Sequence, residues 1–317
     1  METRTKPSPI LLLPGETHHV AKDGKSRTRY SIINYDDAKN SSYYIEEEYD
    51  LQNAKKKFIV QSNHDSQRRP IGSIDIHEIQ DGIESGIGTG SLTWESALVS
   101  SLFFASRSHL LYGNCLELGG GLGLGILLTN MLVCRVGLHH SIKSFTISDY
   151  NNNVLNQSME NIANNYEQVD AGVVMDVKYV NWYDYDTENF NAKENNKCYD
   201  TIIGSDIVYR IKDIQPLLNT IKSLLKEDGA AHIYGPNNRA AIQTFHQEAR
   251  RDPSLTVLSK IIHVERCRLQ EDSCDNPQQS LSQIYRTSSS QTVPFLHLTI
   301  FRKLPTEMDT TCMESID

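Results

Sequence analysis

The 317-residue chain contains no CxxC pair; its six cysteines (Cys115, Cys134, Cys198, Cys267, Cys274 and Cys312) are scattered. That spacing supports neither a zinc site nor a disulfide framework and fits a reducing compartment. No apolar run approaches the length that spans a bilayer. The opening METRTKPSPILLLPGE offers a four-residue apolar run, too short for the core of a signal peptide. A cytoplasmic location, shared with the nucleus, is the expectation, with no membrane partner. Positive charge is also in short supply: 31 Lys and Arg stand against 40 Asp and Glu, a net charge of -9. Such a balance disfavours a nucleic-acid backbone as partner and suits a basic protein or peptide. No internal repeat is visible. With 38% hydrophobic and 22% charged residues, the chain is a soluble globular protein rather than a disordered one.

From residue 114 onward, apolar strand-like and helical segments alternate. NCLELG, SFTISD, VVMDVKYVNW, YDTIIGSD and AAHIYGP read as strands. Between them lie the helical stretches Leu122 to Cys134, NNVLNQSMENIANN and DIQPLLNTIKSLLKEDG, and NRAAIQTFHQEAR follows. In the second helix Val154, Leu155, Met159 and Ile162 fall on one side. This alternation predicts parallel βαβ units in an α/β, doubly wound, Rossmann-like sheet. SKIIHVERC and PFLHLTIFRK have no helix between them and should pair as an antiparallel hairpin across a polar connection at about residues 269–292. Upstream, KDGKSRTRYSII, KFIVQ and residues 71–80 (IGSIDIHEIQ) read as strands, whereas YYIEEEYDLQNAKKK is ambiguous. A helix begins near Trp94, with Leu98, Leu102 and Ala105 at helical spacing and Thr93 as its expected N-cap. The expected organisation is an N-terminal, partly β extension over 1–70, a catalytic domain over 71–305 and a tail over 306–317.

In an open parallel sheet, ligands bind beyond the carboxyl ends of the strands. The first such end is ELGGGLGLG, beginning at Glu117. No register of it satisfies the dinucleotide fingerprint G-x-G-x-x-G. A phosphate-binding P-loop fails too, because Ile126 and Leu127 stand at its Lys and Ser/Thr positions. The pattern that fits is acidic-x-G-x-G-x-G: Glu117, Gly119, Gly121 and Gly123. Glycines there permit close backbone approach, and a lead carboxylate suits a cationic ligand better than a phosphate. S-adenosyl-L-methionine has no phosphate and carries a sulfonium and an ammonium. The next strand ends in Asp149, which either caps the following helix or accepts from both ribose hydroxyls. The third leads into Trp182, either a core anchor or a wall for the adenine. The fourth, CYDTIIGSDIVY, ends in Asp206 with Tyr209 three residues on, placed on one face if the segment turns as a helix.

These segments resemble the seven-strand, non-SET protein lysine methyltransferases known as methyltransferase family 16. The likeness runs from about Gly86 to Lys303 and rests on GTGSLTWESA, LELGGGLGLG, TISDYNNNVLNQSMENI, VNW and YDTIIGSDIVY in that order. It implies a seven-stranded class I methyltransferase domain using S-adenosyl-L-methionine and no metal. Beside Glu117, read from the glycine-loop pattern, it also implies cofactor contacts from Trp94, Gly119, Gly120, Gly121, Asp149, Trp182 and Ser205, with Glu95 matching an acidic position beside the tryptophan. Asp206 and Tyr209 match the family's D-x-x-Y motif, which implies catalytic roles. Related enzymes act on translation elongation factors and chaperones, so a protein substrate is expected; a monomer is the default. The first 70 residues and the 269–292 connection match nothing in the family, and substrate recognition is expected there.

Holding a lysine amine neutral at pH 7 costs about 4–5 kcal/mol, which desolvation and a nearby sulfonium reduce. Asp206 would draw in the ammonium and orient the amine, and Tyr209 would shape its channel. Rival readings fare less well. A nucleic-acid amino-methyltransferase would carry prolines beside the aromatic, and SDIVY has none. A metal-dependent O-methyltransferase needs clustered carboxylates, and His139-His140 reads as a solvated loop pair. Two alternatives stay open: a non-catalytic methyltransferase-fold protein that binds cofactor or partner, and a histidine methyltransferase.

Overall fold

The structure, a computed structural model, describes residues 25–33, 43–50, 53–62, 70–135, 141–169, 172–185, 198–271 and 285–302. Four antiparallel strands come first: β1 (Lys25–Ile33), β2 (Tyr43–Asp50), β3 (Lys55–Ser62) and β4 (Pro70–His77). Next come α1 (Glu95–Ser106), β5 (Gly113–Glu117), α2 (Leu124–Arg135), β6 (Ile142–Asp149), α3 (Asn152–Asn164) and β7 (Val174–Tyr179). The chain continues through β8 (Tyr199–Ser205), α4 (Ile214–Leu224), β9 (Leu225–Pro236), α5 (Ala240–Arg251), β10 (Thr256–Glu271) and β11 (Tyr285–Phe301).

All the strands join one mixed sheet in the order β4-β3-β2-β1-β10-β11-β9-β8-β5-β6-β7. Strands β5 to β9 run parallel, and the order reverses between β5 and β8. That reversal opens the crevice in which doubly wound sheets bind ligands. The sheet has 11 strands, not the expected seven. The surplus is the four-strand meander, which β1 attaches to β10 with Tyr30 opposite Arg266. The ambiguous YYIEEEYD is β2. Its acidic residues pair across to β1, Arg29 with Glu46 at 2.7 Å and Arg27 with Glu48 at 3.2 Å. Charges used in cross-strand pairs mask the apolar alternation that identifies a strand.

The meander does not end in an open edge. Asn165, the C-cap of α3, accepts from the Asp75 N–H at 2.8 Å and donates to the Asp75 carbonyl at 2.6 Å. Asn161 repeats the pattern at His77, accepting at 3.0 Å and donating at 3.3 Å. Two asparagine side chains thus stand in for a partner strand and cover the edge. The sheet therefore curls back, and α1 and α2 lie in a core shared by the meander and β5–β6. This position explains why α2 is nearly all apolar, with residues 124–133 buried, since a helix without a polar face packs inside a core. The opposite face packs α4 and α5 against β8, β9 and β11.

Several local expectations are corrected. Met159 is 49% exposed, and α3 instead buries Val154, Leu155, Ser158 and Asn161, because its inner face serves the β4 edge. The N-cap of α1 is Trp94, and Thr93 is used elsewhere. Helix α4 stops at Leu224, where β9 begins immediately, rather than running to Gly229. The β10–β11 ladder extends to Glu271 opposite Tyr285, well into the segment read as a connection. His139-His140, Cys274 and Cys312 lie outside the described residues. Among the described residues, no helix is long and apolar enough to cross a membrane.

Candidate active site

At the carboxyl ends of β5, β6 and β8 lies a cavity of about 390 Å³. The glycine turn after β5 forms its floor. Gly119 and Gly121 hold φ of 58° and 53°, the left-handed region that disfavours side chains. A Cβ on Gly119 would come within 2.8 Å of Ile207 and 3.4 Å of the Trp182 ring, and one on Gly121 within 3.3 Å of the Gly90 carbonyl. The turn is pinned by Gly120 N–H donating to the Ser148 carbonyl at 2.8 Å, which draws β6 alongside. Beneath it, the Glu117 carboxyl is buried, and its Oε2 has no hydrogen-bond partner. Burial pushes that carboxyl up to about 8, opposed by a hydrogen bond from the Ile126 N–H.

Asp149 ends β6 on the adjoining wall, accepting from the Asn151 N–H at 3.0 Å. Its carboxyl is raised above the usual range, first by burial, with the Asn151, Tyr150 and Gly121 N–H groups opposing. It does not cap α3: the side-chain cap is Asn151, which accepts from the Asn153 N–H. Trp182 opens the short 3-10 turn after β7, and Trp94 also lines the cavity, its indole donating to the Thr89 carbonyl at 3.0 Å. Ser205 ends β8 with its hydroxyl 3.0 Å from that of Ser100 on α1.

Asp206 follows with φ of 61°, one of three described non-glycine residues in the left-handed region. Such strain costs on the order of 1–3 kcal/mol and gathers at functional sites. Its carboxylate is nearly buried and accepts two bonds from the Arg239 guanidinium, the longer at 3.3 Å. Burial raises its carboxyl above the ordinary range, and Arg239 opposes the rise. Tyr209 is 39% exposed at the cavity mouth, with the Arg210 guanidinium 5.2 Å from its ring centre. Residues 206–210 are not helical, so helical spacing is not what brings Asp206 and Tyr209 together. An irregular loop does so.

Every site residue expected from sequence, Glu95 and Gly123 aside, lines this one cavity. Glu95 faces a neighbouring pocket instead. Sequence reading missed Gly90 and Tyr150 in the wall and Arg239 behind Asp206. Arg239 had no local signal, since it sits 33 residues along and arrives as the N-cap of α5.

The lysine methyltransferase family matches residues 74–251, more than half of the chain. The chain belongs to that family. Its methyl donor is S-adenosyl-L-methionine, and the cavity fits it: a side-chain-free cradle, a buried carboxyl with a spare oxygen, a second carboxylate and two indoles. No curated protein matches the chain. Among solved structures, this lysine methyltransferase family member is similar to a ribosomal protein L11 methylase from Lactobacillus delbrueckii subsp. bulgaricus. There the identity is 15%, the TM-score 0.38 and the coverage 67% of this chain and 81% of that one. The YcgJ protein from Bacillus subtilis gives 9% identity and a TM-score of 0.40, covering 66% and 100%. A methyltransferase from Clostridium acetobutylicum described as S-adenosylmethionine-dependent gives 11% and 0.32, covering 71% and 95%. At these scores none bears on the reaction.

Proposed function

We propose that this protein methylates the side-chain amine of a lysine on a protein substrate, an elongation factor before a chaperone. When bound, S-adenosyl-L-methionine supplies an electrophilic methyl group carried on a sulfonium. Gly119, Gly120 and Gly121 admit the donor against bare backbone, and Glu117 offers its spare Oε2 to the donor's ammonium. Asp149 accepts from the ribose hydroxyls, while Trp182 and Trp94 provide flat apolar area and Ser205 a small polar contact.

The observation that carries the lysine reading is Asp206. A strained carboxylate sits inside the donor cavity without serving as a helix cap or a floor for the glycine turn. A carboxylate there attracts an ammonium, and after proton loss from the lysine Nζ its oxygens orient the neutral amine. Desolvation by the surrounding apolar wall lowers the amine's pKa and favours that loss. Tyr209 narrows the entrance and offers its hydroxyl oxygen to the amine N–H. Alignment of nucleophile and methyl accounts for much of the remaining barrier.

The test is purified protein with radiolabelled S-adenosyl-L-methionine and an undermethylated cell lysate, alongside Asp206→Ala and Asp149→Ala. One labelled protein band that disappears in both variants and yields methyl-lysine on hydrolysis is expected. Label recovered on histidine or on nucleic acid would sink the lysine assignment. Donor binding without any label would favour a binding module.

A further inference from the structure

A second pocket of about 40 Å³ adjoins the donor cavity. Thr93, Trp94, Leu124 and Asp206 line both, so the two meet at the end of β8. Its remaining walls come largely from outside the family segment: Tyr30 on β1, Glu47 on β2, Phe58 on β3 and Phe295 on β11. The Tyr30 hydroxyl donates to Glu47 at 2.9 Å and lies 3.5 Å from a Glu95 oxygen, so the two carboxylates flank it. Lys56 is held by Glu47 at 3.3 Å and Glu78 at 3.1 Å, Arg266 by Glu95 at 3.3 Å, and Arg239 by Asp206. Four carboxylates therefore meet three cations, leaving one negative charge over. Independently of that charge, Ser96 also lines the pocket; it is fully buried, and its Oγ has no hydrogen-bond partner. A buried hydroxyl without a partner costs on the order of 1–3 kcal/mol unless a ligand satisfies it.

We propose that this pocket receives the terminal ammonium of the acceptor side chain before proton loss, with Ser96 Oγ and the Glu47–Glu95 carboxylates as its acceptors and Tyr30, Phe58 and Phe295 as its apolar walls, and hands the amine past Asp206, which lines both spaces, to the donor cavity. The inference rests on the methyl-transfer reading of the adjoining cavity and adds to it that the N-terminal meander selects the acceptor. Its carboxylate and hydroxyl acceptors suit a compact ammonium, whose three donors radiate from one centre, better than a planar guanidinium or imidazole ring. The surplus negative charge matches one cation, and the aromatic walls suit the stem and the cation alike. The family segment thus holds the donor, and strands outside that segment help to hold the acceptor.

The test takes the full chain saturated with S-adenosylhomocysteine and titrates n-butylammonium, then imidazole, by NMR. Ser96→Ala and Glu47→Gln should each weaken n-butylammonium binding about tenfold, because each removes a bond to a charged donor. Neither residue lines the donor cavity, so S-adenosylhomocysteine affinity should stay unchanged. If Glu47→Gln fails to fold because Lys56 loses a partner, Ser96→Ala, which removes a single atom, carries the test. Binding that ignores both substitutions, no n-butylammonium binding at all, or tighter binding of imidazole would overturn the pocket. Failure of S-adenosylhomocysteine itself to bind would overturn the methyl-transfer reading, and the pocket with it.

Discussion

Asp206 combines a nearly buried charge, a left-handed backbone and a guanidinium partner in one residue. Asparagine tolerates that backbone region and keeps the side chain's shape. Asp206→Asn should therefore leave donor affinity intact while turnover falls by about a hundredfold or more, the usual cost of removing one preorganised electrostatic group. Calorimetry alongside single-turnover kinetics separates the two. Glu117 makes a different prediction, about pH. Its folded-state carboxyl titrates at about 8, against roughly 4.3 in an unfolded chain. Between those values the folded form binds more protons, so this group makes stability fall as pH rises toward 8. Glu117→Gln removes that dependence. The variant should therefore gain Tm over the parent between pH 5 and pH 9, read from thermal melts without donor. A constant difference would mean the carboxyl titrates normally.

At the level of elements, the asparagine pair that seals β4 is the most exposed to test. Asn161→Leu would leave the His77 N–H and carbonyl without partners and should cost about 1–3 kcal/mol in urea unfolding. The glycine turn should resist change as well. Gly121→Ala forces a side chain into φ 53° and toward the Gly90 carbonyl, so donor binding should weaken even if the fold survives. These elements were unequally legible. The parallel strands and their intervening helices are readable because apolar runs and helical spacing alternate with short turns, and the glycine loop and the Asp149, Trp182 and Asp206 positions followed from strand ends. The meander was only partly readable, since Glu46, Glu47 and Glu48 interrupt the apolar period with residues whose partners lie on other strands. Asn161 and Asn165 resemble ordinary surface helix residues until β4 is placed against them. Arg239 gains meaning only from its contact with Asp206, and Ser96 only from the distant strands that wall its pocket.

For the whole molecule, the shared core decides how the parts behave. Tyr30, Ile45, Phe58 and Ile74 of the meander belong to the same cluster as α1, α2, β5 and β6. Meander and donor-binding sheet should therefore unfold together in one cooperative transition, with far-UV circular dichroism and tryptophan emission giving coincident urea midpoints. Two separated midpoints would show that the meander is an independent unit. Lys56 is the polar link in this contact, joining Glu47 of β2, Glu78 and the Thr93 hydroxyl at 2.8 Å just before α1. Its charge is held firmly, since the two carboxylates outweigh burial and raise its pKa. Lys56→Ala should destabilise the whole protein by roughly 3–5 kcal/mol, because buried Glu78 and the largely covered Glu47 lose their cation.

The chain has two tryptophans, and both Trp94 and Trp182 line the donor cavity. Its intrinsic indole emission is therefore a reporter built into the site, free of background from tryptophans elsewhere. An adenosyl group settling between those walls should quench and shift that emission in proportion to occupancy. The unlabelled protein thus carries its own optical titration of donor and product, and replacing either indole by phenylalanine would tell which wall the adenine meets.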